Sequence, residues 1–223
     1  MKLILGGGGD EVISLPSHKF FYNCLGESKK ILYIPVAILS DKYTPEGCLA
    51  WFSNAFKDIG TVDIDTVTSL TFYDNNSLNM YDGIYIGGGN TFKLLKEIKE
   101  SNFSNLLDDY MKTSGVIYGG SAGAIIFGRD ISNPIYADTN NVGLEELAGI
   151  NALKGYDVWC HYKITDDINI DKLLKKKRKI ISIGEDSAVY YEGSVSIYGI
   201  GNNIHIHTQD RKIDLTDGQS LNL

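Results

Sequence analysis

The chain has 223 residues, of which 43% are hydrophobic and 22% charged, and its formal net charge is −7. That balance suits a folded chain and excludes disordered and low-complexity classes. The acidic excess speaks against a nucleic-acid binder, which needs a basic footprint, and no apolar run approaches the 18 or so residues of a membrane span.

Residues 2–5 form a short apolar run closed by Gly6, Gly7, Gly8 and Gly9, which predicts a strand and a loop. The apolar stretch is too short for the core of a signal peptide. Residues 17–25 read as a helix capped by Ser17, with His18 expected at the surface. Residues 30–36 (KILYIPV) have the pattern of a buried strand. Thr44-Pro45-Glu46 marks a helix start with Pro at the first position, and Leu49, Phe52, Phe56 and Ile59 follow at helical spacing. Residues 62–67 are a strand, and so are 83–86, which end in Gly87-Gly88-Gly89. Asn90 or Thr91 caps the next helix, whose apolar set includes Phe92, Leu94, Leu95 and Ile98. A helix over 104–112, a strand over 116–118 and a helix over 122–127 complete this part. Strand and helix thus alternate, and the strands are apolar throughout, which predicts an α/β fold with a mainly parallel sheet covered on both faces.

The last third reads differently. A strand over 156–160, a helix over 168–177 and a strand over 179–183 precede short segments at 188–191, 195–200, 204–208 and 212–215. Glu192-Gly193, Gly201-Asn202-Asn203 and Asp217-Gly218 separate them, which predicts antiparallel hairpins at one sheet edge. No linker or repeat interrupts the chain, so one domain over 1–223 is expected. Cys24, Cys48 and Cys160 show no metal spacing, and their odd number argues against a disulfide framework. A reducing, cytoplasmic setting is expected.

Residues 115–124 read GVIYGGSAGA. Gly119-Gly120-Ser121-Ala122-Gly123 fits G-x-S-x-G between a predicted strand and helix, where a sharp turn lifts a serine hydroxyl above the strand ends. A small-residue turn that merely packs helix on strand is the alternative. A reactive Ser121 needs a base, and His161 directly follows a strand. An acid just past the next strand, Glu185, is the preferred orienting acceptor; Asp186 neighbours it, and Asp130 and Asp138 are rivals. The Ala122 N–H is the natural first oxyanion donor. Gly88 or Gly89 would supply the second, with Asn90 facing the substrate. Gly87-Gly88-Gly89 lacks the Lys of a phosphate-binding loop, and no dinucleotide fingerprint is present. Gly6–Gly9 with Asp10 is expected to form another wall of the cleft. His205 and His207 share a strand face, but no third metal ligand is apparent, so solvated edge-strand histidines are expected. The run Lys175-Lys176-Lys177-Arg178 is expected to be a solvated helix end.

Three pieces in order, YIGGGNTFKLL, GVIYGGSAGA and IGEDSAV, with a His after a strand between the last two, resemble the peptidase E and cyanophycinase family of serine peptidases. The likeness runs from about Leu3 to Tyr198. It implies a three-layer sandwich like that of class I glutamine amidotransferases, with Ser121 as nucleophile, His161 as base and Glu185 as third member. An Asp between Ser and His is the family's other candidate, in the 133–138 stretch here. The implied function is hydrolysis of a small peptide or amide through an acyl-enzyme, with an aspartyl dipeptide among the substrates. After His161 the chain reads HYKITDD where peptidase E carries an Arg-bearing segment, and Lys163 is the one cation at that place. No metal or organic cofactor is implied. The expected partner is the small substrate, with no nucleic acid and no membrane, and a homodimer is left open. An esterase or amidase on the same three residues, or a non-catalytic ligand-binding relative, are the alternative readings.

Overall fold

A computed structural model describes residues 1–133, 138–193 and 196–223. Val195, expected to open a strand, lies outside them. The first half alternates as the patterning demands: β1 (Lys2–Gly6), α1 (Leu15–Cys24), β2 (Lys30–Ile34), α2 (Pro45–Phe56), β3 (Asp63–Thr66), the short α3 (Asn75–Leu78), β4 (Gly83–Ile86), α4 (Thr91–Glu100), α5 (Phe103–Tyr110), β5 (Val116–Gly120) and the one-turn α6 (Ala122–Ile125). After a long connection come β6 (Tyr156–Trp159), a 3-10 turn (Ile164–Asp166), α7 (Asp167–Leu174), β7 (Lys179–Ile183), β8 (Ala188–Tyr191), β9 (Ser196–Ile200), β10 (Ile204–His207), β11 (Lys212–Leu215) and β12 (Ser220–Asn222).

Among the described residues the strands make two sheets. The larger runs β12-β9-β8-β1-β5-β4-β2-β3, and the smaller runs β11-β10-β7-β6. From β1 to β3 all neighbours are parallel, whereas β8, β9 and β12 add antiparallel strands on the other side of β1. The C-terminal hairpins therefore do not gather at one edge. They divide between the two sheets, because β10 pairs onto β7 and β11 onto β10, while β6 and β7 run parallel.

The strands β1, β2, β4 and β5 are buried on both faces, as their unbroken apolar runs require. One face presents Leu3, Leu5, Leu32, Ile34, Ile84, Ile86 and Ile117 to α4, α5, α6 and the smaller sheet. The other presents Ile4, Ile31, Tyr33, Tyr85, Val116 and Tyr118 to Phe21 of α1 and to Phe52 and Phe56 of α2. Local signals set the helix starts. Thr44 Oγ1 accepts the Gly47 N–H at 3.2 Å ahead of Pro45. Asn90 Oδ1 accepts the Lys93 N–H at 2.9 Å at the head of α4, whose buried side includes the predicted Phe92, Leu94, Leu95 and Ile98. The first helix starts earlier than expected, so Ser17 sits inside it and hydrogen-bonds the Tyr118 hydroxyl at 2.9 Å instead of capping. Among the described residues no helix is long and apolar enough to cross a membrane.

Candidate active site

The strand β5 ends at Gly120, and the chain turns at Ser121 with φ 53° and ψ −113°, a conformation that an L-residue holds only under constraint. Two glycines make the turn possible. A Cβ on Gly119 would lie 2.2 Å from the Gly123 carbonyl oxygen, and one on Gly123 would lie 2.2 Å from that of Ile86. The Ser121 N–H donates to Gly6 O at 3.1 Å. The helix that follows is a single turn rather than the expected 122–127. Its electrostatic contribution at Ser121 is thus that of individual N–H groups and not of a macrodipole.

The imidazole beside Ser121 comes from the other sheet. His161, just past β6, also has positive φ (55°), and its N–H donates to Gly7 O at 2.8 Å. The imidazole lies against Gly8, where an added Cβ would be 2.2 Å from Cε1. Gly8 and Gly9 line the cleft, as expected for the glycine run after β1. His161 Nε2 is 2.7 Å from Ser121 Oγ, and Nδ1 is 2.8 Å from Oε1 of Glu185, two residues past β7. An ionised carboxylate only accepts, so Nδ1–H donates to Glu185 and Nε2 is left to accept the Ser121 hydroxyl proton. Both His161 and Glu185 are about half exposed, with side-chain exposures of 45% and 43%.

Facing the serine is the turn 87–90. It is held by Gly87 N–H donating to Ile34 O at 3.0 Å and Asn90 N–H donating to Ala37 O at 3.2 Å. A Cβ on Gly88 would stand 3.3 Å from Ser121 Cβ. Among the described residues the N–H groups of Gly88, Gly89 and Ala122 have no acceptor. Asn90 is otherwise committed. Besides capping α4, its Nδ2 donates to Thr139 O at 2.9 Å. Next to it, Thr91 Oγ1 is buried without a hydrogen-bond partner and lines the cleft, as does Asn133, whose Oδ1 is likewise unpartnered.

The rival carboxylates stand elsewhere. Asp138 accepts the Thr91 N–H at 2.8 Å. Asp130 pairs with Arg178 at 2.9 Å and accepts the Ser132 N–H. Asp186 accepts the Ser187 hydroxyl. The residues between Asn133 and Asp138, where the family's other candidate acid would fall, lie outside the described residues.

Several expectations away from the cleft are corrected. His18 is not at the surface. It is fully buried, stacks on Phe56 and meets the Tyr85 hydroxyl through Nε2 at 3.0 Å, and burial pushes its pKa down to about 4, against the opposing pull of Glu11. His205 and His207 lie on the central β10, not on an edge. His207 is buried and bonded to Ser182 Oγ at 2.8 Å, and His205 pairs with Asp214 at 2.7 Å. Arg178 does not belong to a solvated helix end. It is buried on Asp157 of β6, with Asp130 and Ser132 beside it.

The cleft above these strand ends holds about 870 Å³. Cys160 lies beneath the turn, its Sγ 3.5 Å from Ser121 O and 3.6 Å from Gly6 O, and burial pushes the thiol far up, so it stays protonated and does not compete as a nucleophile. Sequence reasoning missed Tyr33, Tyr85 and Tyr118 in the cleft wall. The available signal was a tyrosine at the same place in three strands: YIPV, YIGGG and YGGSAG.

Comparison with known proteins gives a family. The model of peptidase family S51 matches residues 3–216. The chain is 26% identical over 192 residues to the uncharacterized peptidase Lin0382 of Listeria innocua, covering 84% of each chain. It is 24% identical over 210 residues to peptidase E of Shewanella denitrificans, covering 87% of this chain and 85% of the relative. The crystal structure of a peptidase from an acI-B1 Actinobacterium superposes with a TM-score of 0.76 at 19% identity, over 100% of this chain and 96% of that one, which is a likeness of fold.

Proposed function

The chain belongs to peptidase family S51, and on that premise we propose that it is a serine peptidase that cleaves a small peptide or amide through an acyl-enzyme on Ser121. The reading rests on one observation: Ser121 Oγ, His161 and Glu185 form a continuous hydrogen-bonded line of 2.7 and 2.8 Å at an open cleft. In this reading Ser121 Oγ attacks the scissile carbonyl while its proton passes to His161 Nε2. Glu185 holds the tautomer and balances the imidazolium charge. The carbonyl oxygen, becoming an oxyanion, is met by the unengaged N–H groups of Ala122 and of Gly88 or Gly89; one such donor contributes on the order of 10²–10³ in turnover. His161 then protonates the leaving amine, and water attacks the ester by the reverse path. The three free thiols, Cys24, Cys48 and Cys160, agree with a reducing, cytoplasmic setting.

The test is a fluorophosphonate probe together with a dipeptide library. Wild type should be labelled and should cleave part of the library, and Ser121→Ala should do neither. A wild-type protein that is never labelled and cleaves nothing would remove the serine-peptidase reading.

A further inference from the structure

Tyr33, Tyr85 and Tyr118 stand abreast on β2, β4 and β5, each in register with the next, on the face that α1 and α2 cover. Residues two apart on a strand share a face. One pleat further on, where a second layer of side chains would belong, stand Gly87 and Gly120, with Gly6 paired beside Gly120 on β1. Gly6 has no room to spare, since its Cβ would lie 2.3 Å from the Tyr118 hydroxyl. Gly87 and Gly120 differ: nothing comes nearer than 3.5 Å to a Cβ at either place. Close packing therefore does not demand glycine there. At these two places the layer is open, and Gly87 and Gly120 line the cleft beside Ser121, while two residues past Tyr33 stands the buried Pro35.

The floor of this hollow is aromatic and uncharged. The Tyr85 and Tyr118 rings stack with centroids 4.5 Å apart; the Tyr85 hydroxyl stands 3.5 Å from where a Gly120 Cβ would be, and the two hydroxyls are engaged by His18 and Ser17 of α1. Cys48 of α2 is buried against it. Of the charged groups lining the cleft, Lys42 is exposed with its Nζ over the Tyr43 ring, Asp138 is fixed at the head of α4, and Lys163 and Asp166 follow His161.

We propose that the hollow receives the side chain on the acyl side of the scissile bond and selects large uncharged residues, aromatic or aliphatic. The proposal rests on the serine-peptidase reading for its orientation. His161 hands its proton to the leaving amine, and β6, which carries it in, packs on the face opposite the tyrosines, as Val158 and Cys160 show. The leaving group thus lies on the His161 side, and the acyl residue points toward the glycines. A carboxylate side chain in the hollow would lose water without gaining a cation, whereas an apolar ring gains by leaving water.

The experiment compares kcat/KM for the dipeptides Phe-Ala, Leu-Ala, Ala-Ala and Asp-Ala. Phe-Ala and Leu-Ala should exceed Asp-Ala by at least about tenfold. Gly87→Val and, independently, Cys48→Phe should each shrink the Phe-Ala to Ala-Ala ratio about tenfold by filling the space. A preference for Asp-Ala, or a ratio unmoved by either variant, overturns the hollow and leaves the peptidase reading standing. Calorimetry on Ser121→Ala with phenylalaninamide and aspartamide separates the two failures. Should wild type cleave nothing while phenylalaninamide binds at least about tenfold tighter and Cys48→Phe abolishes that, the hollow stands and the peptidase reading falls. No discrimination between the amides overturns the hollow.

Discussion

Glu185 decides which nitrogen of His161 carries the proton, because a carboxylate 2.8 Å from Nδ1 can only accept. Glu185→Gln can donate through its amide and so allows the wrong tautomer. We expect a loss of about 10³–10⁴ in kcat with little change in folding. Asp138→Asn, whose side chain meets Thr91 and not His161, should lose less than about tenfold, and steady-state kinetics on the two variants checks both. His18 offers a prediction of another kind. Its folded pKa of about 4 lies below the ordinary 6.5, so between those values the unfolded chain binds the extra proton. Stability is complete above about pH 6.5 and declines as the pH falls toward 4, by on the order of 3 kcal/mol from this group. His207, also lowered to about 4 chiefly by burial, acts in the same direction. Urea midpoints measured from pH 4 to 7 should show that decline, and His18→Phe should flatten part of it.

The turn from β5 to α6 divides its glycines by function. We expect Gly119→Ala to cost about 2–4 kcal/mol, since its Cβ meets a backbone oxygen at 2.2 Å, while Gly120→Ala, with 3.5 Å of room, should melt within a few degrees of wild type. Thermal melts of the two variants test the contrast. Elements whose signals are local were legible in the sequence. Thr44-Pro45 opened α2, Asn90 capped α4, and the predicted strands ending at 118, 160 and 183 pointed to Ser121, His161 and Glu185 just beyond them. What depended on distant partners was not legible. Ile204 to His207 carries the same pattern whether it lies at an edge or between β7 and β11. The basic run 175–178 gave no hint that its last member would turn inward, because Asp157 and Asp130 are 21 and 48 residues away. The tyrosine row was hidden for a related reason: its three members are spread from position 33 to 118, and only strand order makes them neighbours.

At the scale of the molecule, the smaller sheet is tied to the long connection after α6 by Arg178, which reaches Asp157 at 2.5 Å, Asp130 at 2.9 Å and the Ser132 hydroxyl. Its guanidinium is held charged by those carboxylates despite burial. Arg178→Met leaves the fully buried Asp157 with only the more distant Arg129, 3.7 Å away, and should cost about 3–5 kcal/mol. Asp157→Leu with Arg178→Met should recover most of that loss, as a denaturation double-mutant cycle would read. The two sheets also meet at one backbone element, where consecutive carbonyls at the end of β1 take the N–H of Ser121 from one sheet and of His161 from the other. Neither residue can find its partner until both sheets have settled on that strand end. On the serine-peptidase reading proposed above, a chain with only one sheet in place would hold no Ser121–His161 pair and so would leave its own peptide bonds uncut.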